Sequence, residues 1–504
     1  MQAGIGAALL TAGVYMVAAA HGPSRYFLLN AGREFPAVPV LVLEPNARAA
    51  NSSAIGSVVV FHGLGANRVV MLTLGQRFAD AGLRVFLFDG PGHGNNTSPF
   101  SFAKVEACAA AVIETLSNQR EINLSRTILA GHSMGGGIAI LMGNRFPVAG
   151  TIAVAPAPEI LPHGIPGNLL LISPQFDVPA IQQMERKVSA LGGGTRDAVQ
   201  DFANRRAFRE LVLKGRSHTG AIFDPTATME SARWAAASLG TTLPGDYSIA
   251  WGGLAGGILG FVGLGFLYPL VASGCARIWN VRPREEPATA VRPAAALVYW
   301  TFSALVGIGV LIFWVPLELL HIYSGDYLGS LLAIASIPLL ILLVSHWSSA
   351  VETPKNTLGM GVTLGLVTFL AFGAWLNWQL ADGWMNAARW ARFPLLACVL
   401  LPYCLAEEIA LGSPAGMKLG RRFARFNLYL LLRFILWFAA AYALFTGLSS
   451  ALLMVFFFAY LALFSIGQRL ATDAVRRRTG SPSAAAVFGA ILGAWFIAAA
   501  FPLT

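Results

Sequence analysis

A serine flanked by glycines is the residue of this sequence whose setting best fits nucleophilic chemistry. Ser133 lies in the pentapeptide Gly131-His132-Ser133-Met134-Gly135, between the apolar run Thr127–Ala130 and a helical pattern that starts near Gly136. Flanking glycines allow a sharp strand-to-helix turn, which presents the serine hydroxyl at the start of the helix. The Met134 amide would then face an oxyanion developing on a substrate carbonyl. The spacing predicts Ser133 as a nucleophile and Met134 as an oxyanion donor.

The elements around this pentapeptide must place it at one edge of a sheet. Short β-branched runs alternate with helical patterns between residues 21 and 246, which is typical of a parallel sheet covered by helices on both faces. The predicted strands are Ser57–Phe61, Leu83–Phe88, Thr127–Ala130, Thr151–Val154 and Leu169–Ile172. Ligands of such sheets lie beyond the carboxyl ends of the strands, and Ser133 is predicted at such an end.

Two further blocks of sequence strengthen this interpretation. The predicted strand Ser57–Phe61 runs into His62-Gly63-Leu64-Gly65, and the strand that ends at Phe88 runs into Asp89-Gly90-Pro91-Gly92-His93-Gly94. Together with the pentapeptide, these blocks resemble the α/β-hydrolase superfamily, and most closely its serine-aminopeptidase and monoglyceride-lipase branch. The resemblance covers about 220 of the 504 residues and does not extend to the C-terminal half.

The resemblance implies roles for individual residues around the nucleophile. It implies that the amide of Leu64 is the second oxyanion donor, beside the amide of Met134. It also implies a set of residues that brace the turns of the site: His62, Gly63, Asp89, His93, Gly131, His132 and Gly135. The chemistry of such a site needs no cofactor and no metal, and we expect neither.

Catalytic residues of this superfamily follow the order serine, acid, histidine, and each position can be filled here. Asp177 follows the predicted strand Leu169–Ile172 and a turn, and His218 follows the last predicted strand, Leu211–Ser217. The imidazole would take the proton of the serine, and the carboxylate would fix the tautomer of the imidazole. Three alternatives stay open, two for the acid and one for the base: Glu159, Asp201 and His163.

One departure from many members of the superfamily concerns the substrate site. Those members insert a helical cap between the sixth and seventh strands, whereas Pro156–Asn168 leaves only about a dozen residues here. Three of these residues are further prolines, at positions 158, 162 and 166. We therefore expect an open site, or one that a lipid surface or a membrane domain in the C-terminal half of the chain covers, and an amphipathic substrate.

The composition divides the chain into unlike parts. Of all residues, 56% are hydrophobic and 12% are charged, whereas soluble domains carry about 25% charged residues. Residues 21–246 hold 19 Lys and Arg against 16 Asp and Glu; residues 247–504 hold 16 against 9, between long apolar runs. We predict an N-terminal transmembrane anchor or signal peptide at 1–20, an α/β-hydrolase domain at 21–246 and an all-α membrane domain at 247–504.

Nine apolar runs have about the length that a bilayer-spanning helix needs. They lie at residues 3–20, 248–270, 294–320, 328–346, 358–378, 393–408, 427–446, 449–467 and 485–503. The spacing of Gly252, Gly256 and Gly260 fits close contacts between helices, so we expect a packed bundle. For the first run we favour an uncleaved anchor, although its small residues before His21 leave cleavage open.

Ionisable residues inside such apolar runs are candidates for function. Glu318 and His321 lie three residues apart near the end of a run, a spacing that would suit a metal ion or a proton relay. Arg433 interrupts another run and could pair with Glu407 or Glu408. Solvation of the first pair and ion pairing of Arg433 are the simpler interpretations. The arginine clusters at 421–425 and 476–478 indicate membrane topology, so no nucleic-acid partner is expected.

These features predict a membrane-embedded serine hydrolase that acts outside the cytoplasm on an ester of a lipid or of another acyl compound. An acyltransferase or a peptidase with the same triad stays open. So does a protein of another class, a transporter or scaffold whose hydrolase-like domain only binds. The expected partners are the acyl substrate and the bilayer, in a bacterial inner membrane, and no oligomeric state is indicated.

The distribution of basic residues predicts the orientation of the chain. Loops at 271–293, 347–357, 409–426 and 468–484 hold thirteen Lys and Arg, and the opposite loops hold only Arg389 and Arg392. Because basic loops resist translocation, the first set should be cytoplasmic, and residues 21–246 and the C-terminal end should lie outside. Alkaline phosphatase fused after Thr504 should therefore be active, since it folds only outside the cytoplasm. A fluorescent protein that matures only in the cytoplasm should stay dark there; the reverse result would refute this topology.

Overall fold

The chain divides into two compact units, each formed by segments that are distant in sequence. The structure is a computed structural model, and it describes residues 1–45, 54–157, 164–193, 201–243, 252–282, 291–314, 319–344, 355–447 and 452–504. One unit comprises Leu9–Phe261, Trp375–Trp384 and Pro502–Thr504. The other comprises Met1–Ala8, Val262–Ala374 and Met385–Phe501. Each unit therefore takes residues from both halves of the sequence.

An eight-stranded sheet forms the centre of the first unit. Its strands are β1 (Ser24–Leu29), β2 (Val38–Leu43), β3 (Ser57–Phe61), β4 (Arg84–Phe88), β5 (Thr127–His132), β6 (Gly150–Val154), β7 (Leu169–Phe176) and β8 (Phe208–Ser217). Their spatial order is β1-β2-β4-β3-β5-β6-β7-β8. β1 pairs antiparallel with β2, and β2 antiparallel with β4, whereas every other pairing is parallel. The predicted, mostly parallel sheet is confirmed.

Apolar side chains on both faces of the sheet explain why its central strands are continuous hydrophobic runs. Leu170 and Ile172 of β7 belong to a core cluster on one face, and Leu169 and Leu171 belong to a cluster on the other. Successive residues of a strand point to opposite faces, so a strand covered on both sides must be apolar throughout. Five helices lie between or after the strands of this sheet along the chain: α2 (Leu72–Asp80), α3 (Phe102–Asn118), α4 (Met134–Arg145), α5 (Pro179–Leu191) and α6 (Pro225–Ser238).

The N-terminal helix α1 (Gln2–Ala20) packs closely against α7 (Gly252–Ile278) through glycines. A Cβ atom placed on Gly13 would lie 2.6 Å from the amide nitrogen of Gly260 and 2.7 Å from the carbonyl oxygen of Gly256. No side chain fits between the two backbones at this point. Small residues permit such an approach, and Gly256 and Gly260 are two of the glycines whose spacing predicts it.

Long apolar helices make up most of the second unit. The helices that follow α7 are α8 (Pro293–Trp314), α9 (Gly325–Leu342), α10 (Lys355–Gln379), α11 (Ala387–Leu411), α12 (Leu419–Gly447), α13 (Leu452–Thr479) and α14 (Pro482–Ala500). By length and composition, α1, α7, α8, α9, α10, α11 and α14 could each cross a membrane, which makes seven such helices among the described residues. The predicted run 427–446 falls in α12, and residues 452–467 of the run 449–467 fall in α13. Residues 448–451 and the side chains of residues 442–459 lie outside the described part.

Candidate active site

Ser133 stands in a sharp turn between β5 and α4. Its backbone has φ +57° and ψ −122°, a conformation that residues with a side chain rarely adopt. The turn is tight enough that a Cβ on Gly131 would collide with the Gly135 carbonyl, and a Cβ on Gly135 would collide with the Phe61 carbonyl. Glycine is therefore required on both sides of the serine for steric reasons.

Three backbone hydrogen bonds hold this turn in place. The Ser133 amide donates to the Val154 carbonyl at 2.9 Å, and the Ser133 carbonyl accepts from the amides of Gly137 at 3.1 Å and Ala157 at 2.9 Å. The side chain is largely buried, with 7% of its surface exposed. α4 begins at Met134, whose amide, in the first turn, has no carbonyl partner within the helix and can serve an oxyanion.

The predicted acid and base lie side by side because their strands do. β7 and β8 are parallel neighbours, and their last residues, Phe176 and Ser217, are paired. Asp177 directly follows β7, and His218 directly follows β8. The imidazole Nδ1 of His218 donates to Asp177 Oδ2 at 2.8 Å, and the second carboxylate oxygen accepts from the Val178 amide at 2.7 Å. The Asp177 side chain is fully buried. A proton fixed on Nδ1 leaves Nε2 of His218 as the basic nitrogen.

His132 connects this pair to the serine turn. Its Nε2 donates to the backbone carbonyl of His218 at 3.0 Å, and the two imidazole rings lie 4.8 Å apart. Because His132 directly precedes Ser133, this bond brings His218 to the nucleophile turn. Burial lowers the pKa of His132 to about 3, with a further contribution from His218, so His132 is neutral near pH 7. It therefore acts as a neutral donor.

The predicted oxyanion loop passes directly against Ser133. A Cβ on Gly63 would lie 3.1 Å from the Ser133 Cβ, so the backbone that leads into Leu64 borders the nucleophile. Leu64 itself is half-buried. The Gly65 amide donates to His93 Nε2 at 3.1 Å, and His93 Nδ1 donates to the Pro91 carbonyl at 2.8 Å. The loop is thus tied to the turn that follows β4.

His62 ties the same two turns together from the other side. Its Nδ1 donates to the Gly63 carbonyl at 2.8 Å, and its Nε2 accepts from the Gly90 amide at 2.9 Å. This pattern requires a neutral ring, and burial lowers the pKa of His62 accordingly. The rings of His62 and His93 lie 4.8 Å apart. Both histidines thus connect the predicted oxyanion loop to the turn that follows β4.

Asp89 forms the centre of the turn after β4, together with a partner that sequence patterns do not reveal. Its buried carboxylate accepts from the backbone amides of Arg68 and Asn95, each at 2.9 Å, and pairs with the Arg68 guanidinium. Arg68 is 6% exposed and also pairs with Asp382, at 3.2 Å. A single arginine after a Gly-rich loop gives no signal in the sequence that it will be buried between two carboxylates.

The alternative acid and base candidates have different positions. Asp201 precedes β8 in a turn, where its carboxylate accepts from the side-chain amide of Asn204 at 2.9 and 3.1 Å. Glu159 and His163 lie outside the described residues. Asp177 is thus the described carboxylate that contacts His218.

The candidates predicted in the apolar runs differ in their burial. Arg433 is buried and forms a bidentate pair with Glu407 at 2.5 and 2.7 Å, beneath the rings of Tyr403, Tyr429 and Trp437. His321 is exposed and precedes α9, and Glu318 lies outside the described residues. Over the described ranges, no three His, Cys, Asp or Glu side chains form a group that could hold a metal ion.

Like Arg68, Glu185 is a buried ionisable residue that is absent from the candidates predicted from the sequence. It is a carboxylic acid on α5. It shares a helical face with Ile181, Met184 and Val188, and this spacing in the sequence could have indicated its burial. Burial, reinforced by the nearby carboxylates Asp177 and Glu210, raises the pKa of Glu185 to about 9. Glu185 is therefore protonated near pH 7, so it places no second negative charge beside Asp177.

Comparison with known proteins finds related sequences for this part of the chain. Residues 52–189 match the family described as serine aminopeptidase, S33. A protein of Mycobacterium phage D29 named for the non-heme haloperoxidases is 34% identical over 93 residues, 18% of this chain and 32% of the relative. An uncharacterized protein of Mycobacterium tuberculosis is 26% identical over 175 residues, 32% of this chain and 62% of the relative. The chain thus spans less than two thirds of the length of either relative.

Comparison with solved structures finds chains that resemble part of this one. An α/β serine hydrolase without a lid from Xanthomonas campestris shares 16% sequence identity at a TM-score of 0.34. The alignment covers 42% of this chain and 93% of that protein. An esterase from Pyrobaculum calidifontis shares 14% identity at a TM-score of 0.34, over 48% of this chain and 93% of the esterase.

The raised pKa of Glu185 predicts a pH-dependent stability. The folded chain keeps this proton up to a pKa of about 9, whereas the unfolded chain releases it near 4.5, so the free energy of unfolding falls as the pH rises between these values. The slope would reach about 1.4 kcal/mol per pH unit. In E185Q this titration is absent, and the melting temperature of E185Q relative to the unsubstituted chain should rise between about pH 5 and pH 8.

The matched control is E114Q, because Glu114 is a surface carboxylate that pairs with Arg145 at 2.9 Å. Its melting temperature should keep a constant difference from that of the unsubstituted chain over the same range. A difference for E185Q that does not change with pH would contradict a buried, protonated Glu185.

Proposed function

We propose that this chain is a serine hydrolase in which Ser133 is the nucleophile, His218 the base and Asp177 the acid. The observation that carries the proposal is the continuous chain of contacts from Asp177 through His218 and His132 to the Ser133 turn. Ser133 adopts the strained backbone conformation that presents a nucleophile at a helix N-terminus.

The proposed reaction follows from the protonation states of these groups. His218 Nε2 takes the proton of the Ser133 hydroxyl while the serine oxygen bonds to the carbonyl carbon of an ester. The carbonyl oxygen becomes an anion, which the amides of Leu64 and Met134 stabilise. The carbon–oxygen bond to the leaving alcohol then breaks, and the imidazolium returns its proton to that alcohol. Water, activated by His218 in the same way, releases the acid and restores the serine.

Asp177 acts in this reaction through His218. Its buried carboxylate fixes the Nδ1-protonated tautomer and stabilises the imidazolium that forms during the attack. Glu185, whose pKa burial raises to about 9, is protonated near pH 7 and so adds no negative charge near Asp177.

We propose an ester of a lipid or of another amphipathic acyl compound as the substrate. β6 ends at Val154 and β7 begins at Leu169, so the chain has little length there for a helical cap. The apolar helices support a location at a bilayer, where such esters are found.

The close contact of Gly13 with Gly256 and Gly260 supports an N-terminal helix that stays attached to the protein. The basic loops support an orientation with the hydrolase domain outside the cytoplasm.

A peptidase is the second candidate, because the family that matches residues 52–189 is described by its serine aminopeptidases. The same acyl-enzyme could also pass its acyl group to an acceptor other than water. Comparing p-nitrophenyl butyrate with an aminoacyl p-nitroanilide separates the first two activities. Adding a primary alcohol or amine and detecting the transfer product separates the third.

Substitution of the proposed triad tests the catalytic assignment. With p-nitrophenyl butyrate as substrate, S133A, H218A and D177N should each lower kcat by about a thousandfold or more, because each removes a group needed to activate the nucleophile. The matched control is D201N, since Asp201 is the other described candidate acid and contacts Asn204 instead of His218. D201N should keep kcat within about twofold.

Two results would contradict the assignment. Activity in S133A comparable to that of the unsubstituted chain would show that another group is the nucleophile. Loss of activity in D201N with retention in D177N would exchange the roles of these two carboxylates.

A further inference from the structure

Two short segments from the C-terminal half belong to the compact unit that holds the sheet. Trp375–Trp384 includes the end of α10 and the residues before α11, and Pro502–Thr504 follows α14. Both lie far along the chain from the predicted hydrolase domain at 21–246. Some of their contacts within the unit fall on the loop that leaves β3 and on the turn that follows β4.

The first segment contacts the loop that leaves β3. Asp382 pairs with the Arg68 guanidinium at 3.2 Å, and its backbone amide donates to Asn67 Oδ1 at 3.3 Å. Asn67 Oδ1 also accepts from the amides of Val69 at 3.0 Å and Val70 at 3.3 Å. Asp382 therefore touches two consecutive residues of the connection between β3 and α2, which is the connection that carries Leu64.

The side chains in this contact are buried, so their charges are strongly coupled. Arg68, Asp89 and Asp382 are each at most 6% exposed. One guanidinium thus lies between two buried carboxylates, and it also stacks over the ring of Tyr26 at 5.1 Å. A buried charge that loses its partner is strongly destabilised, so this arrangement fixes the position of Arg68 from two sides. The Arg68 amide, bonded to Asp89, transmits that position to the loop.

The second segment contacts the turn that follows β4. The Leu503 amide donates to the Gly92 carbonyl at 2.9 Å, and the Leu503 carbonyl accepts from the Phe100 amide at 2.6 Å. A Cβ on Gly92, whose φ is +72°, would collide with the Leu503 carbonyl. Leu503 thus pairs with the segment that holds His93, the acceptor of the Gly65 amide. Asp382 thus contacts the connection that carries Leu64 directly, and Leu503 reaches it through Gly92 and His93.

We propose that Asp382 and Leu503 are positioning residues that hold the Leu64 amide at the oxyanion, so that the C-terminal half of the chain takes part in catalysis by the hydrolase domain. Asp382 acts through Arg68 and Asn67, and Leu503 acts through the turn that holds His93. The inference rests on the proposed function, because it assigns these residues to the oxyanion hole of that reaction.

The physical consequence concerns the transition state more than the binding of substrate. An oxyanion donor must lie about 3 Å from the charged oxygen, and loss of such a donor costs about a hundredfold or more in kcat. A donor that shifts without being lost should cost less, about tenfold. The neutral carbonyl oxygen of the bound ester forms a weaker hydrogen bond with the same amide than the oxyanion does, so KM should change little.

The first test substitutes Asp382 in the full-length chain. D382A and D382N should each lower kcat for p-nitrophenyl butyrate by about tenfold, with KM within about twofold, and D382E should recover part of the loss. The matched control is Q379A, because Gln379 lies in the same segment but bonds to Gln76 of α2, at 3.1 Å, and not to the loop. Q379A should keep kcat within about twofold.

An inhibitor that forms the oxyanion separates positioning from general loosening of the fold. A trifluoromethyl ketone bonds to the serine as a hemiketal whose charged oxygen occupies the oxyanion hole. Its Ki should rise about as much as kcat/KM falls in D382A and D382N, as expected for a transition-state analogue. Partial unfolding would lower the titrated number of active sites but would leave Ki unchanged.

The second test uses Leu503 and does not depend on the folding of the Asp382 variants. L503P removes the amide that donates to Gly92, whereas L503A shortens the side chain and keeps that amide. L503P should lower kcat and raise the trifluoromethyl ketone Ki relative to L503A, by about fivefold or more.

The outcomes separate this inference from the proposed function. Values of kcat and Ki in D382A, D382N and L503P within twofold of those of Q379A and L503A would overturn the positioning role, as would equal losses in variants and controls. Activity that persists in S133A would instead overturn the proposed function itself. Loss in S133A together with unchanged D382 and L503 variants would leave the triad intact and refute the inference alone.

Discussion

The backbone of Ser133 is the constraint around which the site is built. A serine at positive φ in this conformation costs about 1–3 kcal/mol, so it persists only where the surroundings fix it. Here β5 ends directly before the serine, and α4 starts at the residue after it. The Val154 carbonyl and the amides of Gly137 and Ala157 form hydrogen bonds with its backbone. Gly131 and Gly135 leave the space that this turn requires. The same turn places Ser133 directly before the N-terminus of α4.

Around this turn, buried polar groups are arranged so that few of them carry charge. His62 and His132 are neutral because burial lowers the pKa of each, and each donates to a backbone carbonyl of a neighbouring turn. Glu185 is neutral because burial raises its pKa. The charges that remain are paired, as in Asp89 with Arg68. Asp177, whose side chain is fully buried, has the imidazole of His218 as its hydrogen-bond partner.

The parts of this structure that the sequence predicts are those with local signals. Central strands covered on both faces read as apolar runs, and β3, β5 and β6 lie where those runs predict them. The sharp turn at Ser133 needs its glycines and could be located from them. The sequence analysis does not predict β1 or β2. The edge strand β1 is mostly exposed, and β2 is a buried apolar run that contains Pro39, a residue that disfavours strand interiors.

Contacts between distant segments have no local signal, and these were missed. Asp382 lies between the apolar helices α10 and α11, and Leu503 follows α14. Nothing in the sequence near either residue indicates a contact with residues 67–100.

The run predicted at 393–408 is the helix Ala387–Leu411, which begins six residues earlier than predicted. Hydropathy excluded its first turns because of Arg389 and Arg392, but both side chains donate to backbone carbonyls, Arg389 to that of Phe501 at 2.9 Å and Arg392 to that of Ala388 at 2.8 Å.

Covalent labelling of the detergent-solubilised full-length chain with a fluorophosphonate tests the central claim, an activated serine at position 133, most directly. Intact mass and peptide mapping should show one adduct per chain, located on Ser133, because only a serine with an adjacent base attacks phosphorus at a useful rate. S133A should remain unlabelled, and H218A should label about a thousandfold more slowly. An adduct on another residue, or a folded chain that takes up no label, would contradict the proposal of a catalytic serine at this turn.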